Sequence, residues 1–307
     1  MSTPITLSAR ARLRNSWEKV ALILASGLLY AIAIACVGLA SRAIPPVPLT
    51  ILRLAVASLI FCGILVYSRP TVHWRPRAAF DLFIIGIGNI GLPFVFLAIS
   101  MRYISGSLAA VLFNVGPALT IVLAHFLLPD EKLRPAKIVG TALAISGAVL
   151  LVASNSSGLK AGNSQGWIGQ MLIILASATG ALAVIYTRIR FRKADTTVLS
   201  AGQVFACLAV FLLLGLITTD LPTLGAYPWQ AWAAMIVSAV TSAVLGYWLL
   251  FYMVKKYSAT LGGFSGIATP LFSAVIGILF LGEILTPIII ISALLVLAGI
   301  WALNAFG

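Results

Sequence analysis

The sequence repeats itself, and this repeat limits the folds open to the chain. Four landmarks recur in the same order in both halves, at separations of 152 to 154 residues: Tyr103, Pro117, Glu131 and Pro135, then Tyr257, Pro270, Glu283 and Pro287. Each copy holds five apolar segments. An odd number of membrane crossings makes the second copy enter the bilayer from the opposite side. Inverted repeats of this kind are typical of membrane transporters, in which the substrate site lies near the midplane between the copies.

The composition indicates a membrane protein. Hydrophobic residues make up 61% of the chain and charged residues 9%, whereas a soluble domain carries about 25% charged residues. The apolar runs are close to 20 residues long, enough for a helix to cross about 30 Å of hydrocarbon. We predict an all-α integral membrane protein with ten transmembrane helices, at 18–41, 47–68, 79–101, 104–127, 134–154, 167–187, 197–218, 229–253, 258–281 and 285–304.

The net charge of +13 is explained by topology. With the N-terminus inside, 16 basic residues fall between spans on the inner side and 3 on the outer side. This asymmetry follows the positive-inside rule and predicts that both termini are cytoplasmic. We therefore expect contact with membrane lipid and none with nucleic acid. The Gly/Ser/Asn-rich stretch 154–166 predicts the link between a first repeat, 1–154, and a second, 155–307.

Polar residues near the middle of apolar spans predict the substrate site. Asn89, Asn114, Ser265 and Thr269 lie beside glycines or prolines in spans three, four and nine. We predict that spans three, four, eight and nine wall a cavity in which these side chains hold the polar ends of a substrate. The hinges are predicted at positions where the helix can bend, namely Pro93, Pro117, Gly263 and Pro270. The alternative is ordinary helix packing through small residues and interhelical hydrogen bonds.

Arg53 is a charged residue within span two, and intramembrane charges commonly serve function. It is predicted to contact either the substrate or, as the alternative, the outer headgroups by extending its long side chain. Aromatic residues also lie inside the spans, among them Tyr30, Phe94 and Trp248. We predict that their ring faces contact an apolar or cationic part of the substrate.

The acidic residues restrict the possible mechanisms. None of the seven Asp and Glu residues falls near the middle of a predicted span, so proton coupling through a midplane carboxylate is not supported. Glu131 and Glu283 each precede a proline by four residues, and both are predicted to cap the turn into the next span. The sequence has no phosphate-binding glycine-rich loop followed by lysine. We predict no cofactor, no metal and no obligate protein partner.

The paired motifs carry a resemblance to a known family. Ala98-x-x-x-Arg102-Tyr103 and Glu131-x-Leu133-x-Pro135 in one copy, with Lys256-Tyr257 and Leu281-Gly282-Glu283-x-Leu285-Thr286-Pro287 in the other, resemble the two halves of the drug/metabolite transporter superfamily, EamA type. The resemblance implies a ten-helix carrier that works by alternating access and exports small metabolites. Within the superfamily, the chain is similar to the YddG-type amino-acid exporters. It departs from the pattern at Ile291–Ser292, where glycine is expected.

The resulting prediction is a secondary transporter that exports amino acids, aromatic ones among them, across the cell inner (plasma) membrane. The alternatives are a multidrug or other metabolite exporter of the same superfamily, and a gated membrane channel. An enzyme is not expected, because no convergent His/Asp/Glu cluster suggests acid–base or metal chemistry.

Overall fold

A computed structural model describes residues 5–69, 77–128, 135–160, 163–191, 194–218, 227–257 and 259–306. It leaves out the side chains of residues 5–16, 135, 136, 196, 218, 247, 250, 251, 254, 255, 259–267 and 304–306. The described part of the chain is helical and contains no strand. Its α-helices are α1 (Ile5–Ala40), α2 (Pro46–Ser68), α3 (Ala78–Gly86), α4 (Leu92–Ser100), α5 (Gly106–Phe113), α6 (Gly116–Leu127), α7 (Pro135–Ala153), α8 (Gly166–Arg190), α9 (Thr196–Thr218), α10 (Trp229–Ser238), α11 (Tyr247–Lys256), α12 (Ala259–Ile276) and α13 (Pro287–Phe306).

Three π-helical segments interrupt or extend these helices. Ile87–Gly91 joins α3 to α4, Ala239–Gly246 joins α10 to α11, and Gly277–Leu281 ends α12. Spans three and eight of the sequence prediction are therefore each a helix with a π-helical middle. A π-turn widens the helix locally, and such turns are frequent at functional sites.

The helices have the length and composition of membrane spans. Within the described residues, seven helical stretches are long and apolar enough to cross a membrane, and three further apolar helices are shorter. The seven long ones are Trp17–Ala40, Pro46–Ser68, Ala78–Ser100, Gly106–Leu127, Gly166–Arg190, Thr197–Ile217 and Trp229–Gly246. The long helices expose large apolar side chains such as Tyr67 and Ile217, and the shorter helix that ends at Leu281 exposes Phe280. Such an outer surface suits hydrocarbon, and the fold is that of a multi-pass membrane protein.

The helices pack in a pattern that is the same for both halves of the chain. Helix α1 of the first half packs against α12 and α10 of the second half. Correspondingly, α8 of the second half packs against α5, α6 and α4 of the first half. Two further pairs join corresponding helices of the two halves, α2 with α9 and α7 with α13. Exchanging each span for the one five spans later therefore reproduces the main contacts.

Helices α7 and α13 pack closely because both carry small residues at the contact. A Cβ atom added at Gly140 would lie 2.8 Å from the carbonyl oxygen of Gly299, and one added at Gly147 would lie 2.7 Å from that of Ser292. Neither distance is possible without separating the helices. The serine that departs from the family pattern is therefore compatible with close packing, because the facing residue is the glycine of α7.

Glu283 corrects one sequence prediction. Instead of capping the turn into α13, it caps α5, which belongs to the other half of the chain. Its Oε1 accepts from the Gly106 backbone N–H at 2.8 Å, and its Oε2 accepts from the Ser107 backbone N–H at 3.1 Å and from the Ser107 hydroxyl at 2.6 Å. A carboxylate at a helix N-terminus satisfies free N–H groups and opposes the positive end of the helix dipole. The spacing to the following proline identified a cap, but tertiary packing decides which helix it serves.

Candidate substrate cavity

A cavity of about 300 Å³ lies between helices from both halves of the chain. Residues of α1, α2, α4, α5 and α12, together with residues of two π-helical segments and of the α5–α6 break, line it. The lining residues are Tyr30, Ala33, Ile34, Val37, Arg53, Asn89, Pro93, Phe94, Leu97, Ala110, Phe113, Asn114, Ser242 and Thr269. The wall thus contains spans one and two in addition to the four spans that the sequence predicts.

The helix break between α5 and α6 sets the orientation of the Asn114 amide. The Asn114 backbone N–H donates to Val111 O at 3.1 Å, one residue short of the α-helical partner Ala110. The Ala110 carbonyl instead accepts from Asn114 Nδ2 at 2.9 Å. Pro117, which follows the break, has no N–H to continue the pattern. One N–H of the Asn114 amide is used in this way, and Oδ1 is the atom with which the amide can accept a hydrogen bond from a ligand.

The π-helical segment Ile87–Gly91 presents Asn89 to the cavity. The Leu92 N–H closes the π-turn by donating to Ile87 O, and Pro93 follows without an N–H of its own. Asn89 Nδ2 donates to Gln203 Oε1 of α9 at 3.1 Å, and Gln203 itself is 6% exposed. As at Asn114, the amide nitrogen has a protein partner, and the amide oxygen of Asn89 is free to accept a hydrogen bond from a ligand.

Arg53 supplies the positive charge of the cavity. Its side chain is 3% exposed, Nη2 donates to Ser242 Oγ at 3.1 Å, and Cζ lies 4.1 Å from the centroid of the Phe94 ring. Helices other than its own therefore hold the guanidinium at the cavity wall, through a hydrogen bond and a cation–π contact. Among the described residues that line the cavity, Arg53 is the one with a formal charge.

The structure gathers most of the predicted substrate residues and separates one from them. Tyr30, Arg53, Asn89, Phe94, Asn114 and Thr269 all line the cavity, as does the predicted hinge Pro93. Trp248 is absent from the described lining: its side chain is 62% exposed, and its ring stacks on Tyr252 at 5.7 Å. The predicted positions Ser265 and Gly263 lie outside the residues whose side chains are described. Pro117 is exposed in the first turn of α6, and Pro270 is buried inside α12.

Two polar residues of this region were not predicted as site residues. Ser242 accepts from Arg53 and donates to Ser238 O at 2.7 Å. Gln203 holds Asn89 from outside the cavity lining. Gln203 had a usable signal, because a lone amide in the apolar span 197–218 needs a polar partner. Its partner on another helix could not be deduced from the spacing of residues along the chain.

Ion pairs lie at helix ends that the sequence places on the inner side. Lys256 pairs with Glu18 and also donates to the Tyr252 hydroxyl, and Glu18 raises the pKa of Lys256 above its ordinary value. Asp81 accepts from the Tyr186 hydroxyl at 2.6 Å and from Arg190 Nε at 3.2 Å. Within the described residues, no three His, Cys, Asp or Glu side chains form a group that could hold a metal ion.

Comparison with known proteins identifies the class. The model of the EamA-like transporter family matches residues 17–153 and, a second time, residues 167–305. The chain belongs to this family and is a membrane transporter.

The chain is similar to several curated proteins, some of which are named as transporters or exporters. An uncharacterized transporter of Archaeoglobus fulgidus is 22% identical over 260 residues, covering 85% of this chain and 89% of the relative. Protein PecM of Dickeya dadantii is 27% identical over 245 residues, covering 77% and 78%. A probable terminal-alkyne amino-acid exporter of Streptantibioticus cattleyicolor is 25% identical over 263 residues, covering 83% of each. A solved crystal structure shares the fold with a TM-score of 0.64 at 20% identity, over 93% of this chain and 96% of the other.

Proposed function

We propose that this protein exports α-amino acids across the cell inner membrane by alternating access. The cavity of about 300 Å³ is at the lower end of the range for small-molecule sites, about 300–1,000 Å³. A substrate of that size is a small metabolite. The relative from Streptantibioticus cattleyicolor, whose name describes an amino-acid exporter, is consistent with this class of substrate.

The observation that carries the proposal is the set of polar atoms in the cavity. Arg53 offers guanidinium donors, which suit a carboxylate. Asn89 and Asn114 both use Nδ2 within the protein, so their Oδ1 atoms are acceptors, which suit an ammonium group. A zwitterionic α-amino acid carries both complementary groups. An anion without an ammonium group would leave the acceptors unused, and a cation without a carboxylate would face the charge of Arg53.

The apolar part of the lining suits the substrate side chain. Tyr30, Phe94 and Phe113 contribute rings, and Ile34, Val37 and Leu97 contribute aliphatic surface. Burial of an apolar side chain against such a wall contributes about 25 cal/mol per Å² removed from water. We therefore propose that amino acids with large apolar side chains, aromatic ones included, are preferred. The YddG-type assignment stays a prediction.

The proposed architecture is ten transmembrane helices in two inverted five-helix repeats, with both termini in the cytoplasm. Three observations support it: the two family matches, one on each half; the helix contacts that recur when spans are exchanged five apart; and the 16-to-3 distribution of basic residues. In such transporters the substrate site lies at the interface of the repeats, and residues from both halves of the chain line this cavity. Small-molecule substrate and lipid are the proposed partners.

The test is transport by purified protein in proteoliposomes. Uptake is measured for a labelled aromatic amino acid, for its analogue without the amino group and for its analogue without the carboxyl group. We expect the zwitterion to be transported at least tenfold better, in kcat/KM, than either analogue. Saturable uptake with counterflow is expected of a carrier, and its absence would indicate a channel. Efficient transport of the carboxyl-free amine would overturn the amino-acid proposal in favour of a cationic drug exporter.

A further inference from the structure

We propose that Gln203 is a positioning residue that orients the Asn89 amide, so that the cavity distinguishes substrates by their ammonium group. This inference rests on the proposed export of amino acids. Gln203 is 6% exposed and is not among the described residues that line the cavity. It acts on the substrate through Asn89, whose Nδ2 donates to Gln203 Oε1 at 3.1 Å.

The positions of Arg53 and Gln203 correspond in the two halves of the chain. Helices α2 and α9 both contain 23 residues, and each of these two residues lies seven beyond the first residue of its helix. Each also reaches a π-helical segment of the other half: Arg53 donates to Ser242, and Gln203 accepts from Asn89. The two hydrogen bonds are therefore equivalent cross-contacts between the halves, one at each polar group of the proposed substrate.

Equivalent positions with different side chains give the two contacts different chemical roles. At one, the guanidinium of Arg53 is itself the donor for a carboxylate. At the other, Gln203 accepts from the Asn89 NH₂ group through Oε1 and thereby favours the orientation in which the amide oxygen of Asn89 is turned to the cavity. The two ends of an asparagine amide have nearly the same shape but opposite hydrogen-bonding character. Without the Gln203 acceptor, the amide can turn its NH₂ group to the cavity, where it would face an ammonium group as donor against donor.

The test uses Gln203→Met, which retains the length of the side chain and removes its strong acceptor. Loss of a hydrogen bond to the charged ammonium group weakens binding, so we expect KM for the amino acid to rise about tenfold with kcat little changed. KM for the analogue without the amino group should stay within about twofold of wild type. Selectivity for the ammonium group thus falls, which a general packing defect would not produce.

Two rescue variants separate orientation from folding. Gln203→Glu keeps an acceptor for Asn89 Nδ2 and should retain the selectivity of wild type. In the double variant Asn89→Asp with Gln203→Met, the side chain presents an oxygen whichever way it turns, and selectivity for the ammonium group should return. If Gln203→Met yields no folded protein, Gln203→Glu decides: loss of selectivity for the ammonium group in that variant, which keeps an acceptor for Asn89 Nδ2, would overturn the positioning role.

Ser242→Ala is the matched variant at the equivalent contact. It removes the Ser242 hydroxyl that accepts from Arg53 and should weaken selectivity for the carboxylate, measured against the carboxyl-free amine, while selectivity for the ammonium group is kept. Equal loss of both selectivities in Gln203→Met, or wild-type selectivity in that variant, would overturn the positioning role while leaving the amino-acid proposal in place. Failure of the wild-type protein to prefer the zwitterion would instead count against the proposed function itself.

Discussion

A guanidinium buried among membrane helices needs contacts that replace water, and Arg53 has them in Ser242 and the ring of Phe94. These contacts hold the side chain while leaving the cavity beside it. A planar guanidinium can also pair with a carboxylate through two parallel hydrogen bonds, which an ammonium group cannot do. Recognition of the substrate's carboxylate should therefore depend most strongly on Arg53.

Arg53→Lys should therefore retain the charge but lose both the stacked contact and the two-pronged pairing. We expect KM for the amino acid to rise about tenfold or more, corresponding to about 1.4 kcal/mol, with less effect on the carboxyl-free amine. The measurement is initial uptake into proteoliposomes against substrate concentration. Arg102→Lys makes the same replacement at an exposed position away from the cavity and should behave as wild type. An equal rise of KM in both variants would contradict a site-specific role.

At this scale the sequence predicted residue types well and their partners poorly. Asn89, Asn114 and Arg53 were predictable because polar groups within apolar spans are costly unless they are satisfied or functional. Trp248 had the same kind of position in its span, yet it stacks on Tyr252 and is largely exposed. Which face of a helix meets the cavity depends on helix rotation, and the π-helical segment before Trp248 changes that rotation in a way that hydropathy does not reveal.

At the scale of helices, the helix N-termini show the difference between local and long-range capping. Asp195 caps α9 from two residues away, with Oδ1 accepting from Thr197 N–H at 2.8 Å and Val198 N–H at 3.2 Å. Glu283 caps α5 across 177 residues of sequence. The first kind of cap can be predicted from sequence. The second can only be suspected, because the helix that uses it is brought there by the packing of α12 against α5.

Glu283→Ala should lower the stability of the protein more than Asp195→Ala. Glu283 is 8% exposed, and its removal leaves the buried Ser107 hydroxyl and two backbone N–H groups without this acceptor. We expect a loss of about 2–3 kcal/mol for Glu283→Ala and about 1 kcal/mol for the exposed local cap at Asp195. Each variant is heated in detergent, and the fraction of protein that still elutes as a monodisperse peak is measured against temperature. The two unfolding curves are then compared. Equal losses would show that the long-range cap contributes no more than a local one.

At the scale of the whole molecule, the two halves use the same helix contacts but different side chains at matched places. Arg53 and Gln203 occupy equivalent positions in α2 and α9, and π-helical segments occur in both span three and span eight. The matched Pro and Glu landmarks made the repeat visible in the sequence. The π-helical segments were not visible, because they arise from one residue added to a turn and leave the apolar pattern of the span intact.

An inverted repeat predicts that corresponding loops lie on opposite faces of the membrane. Ala43, which follows α1, and Ala194, which follows α8, are exposed alanines in equivalent loops. Each is replaced singly by cysteine in a background without Cys36, Cys62 and Cys207. In intact cells, a membrane-impermeant maleimide should label Ala43→Cys and should label Ala194→Cys only after permeabilisation. Proteoliposome transport by both variants serves as the control for folding. Labelling of both positions from the same side would mean that the two halves are parallel. The cavity could not then open to each face of the membrane in turn by the two halves exchanging conformations.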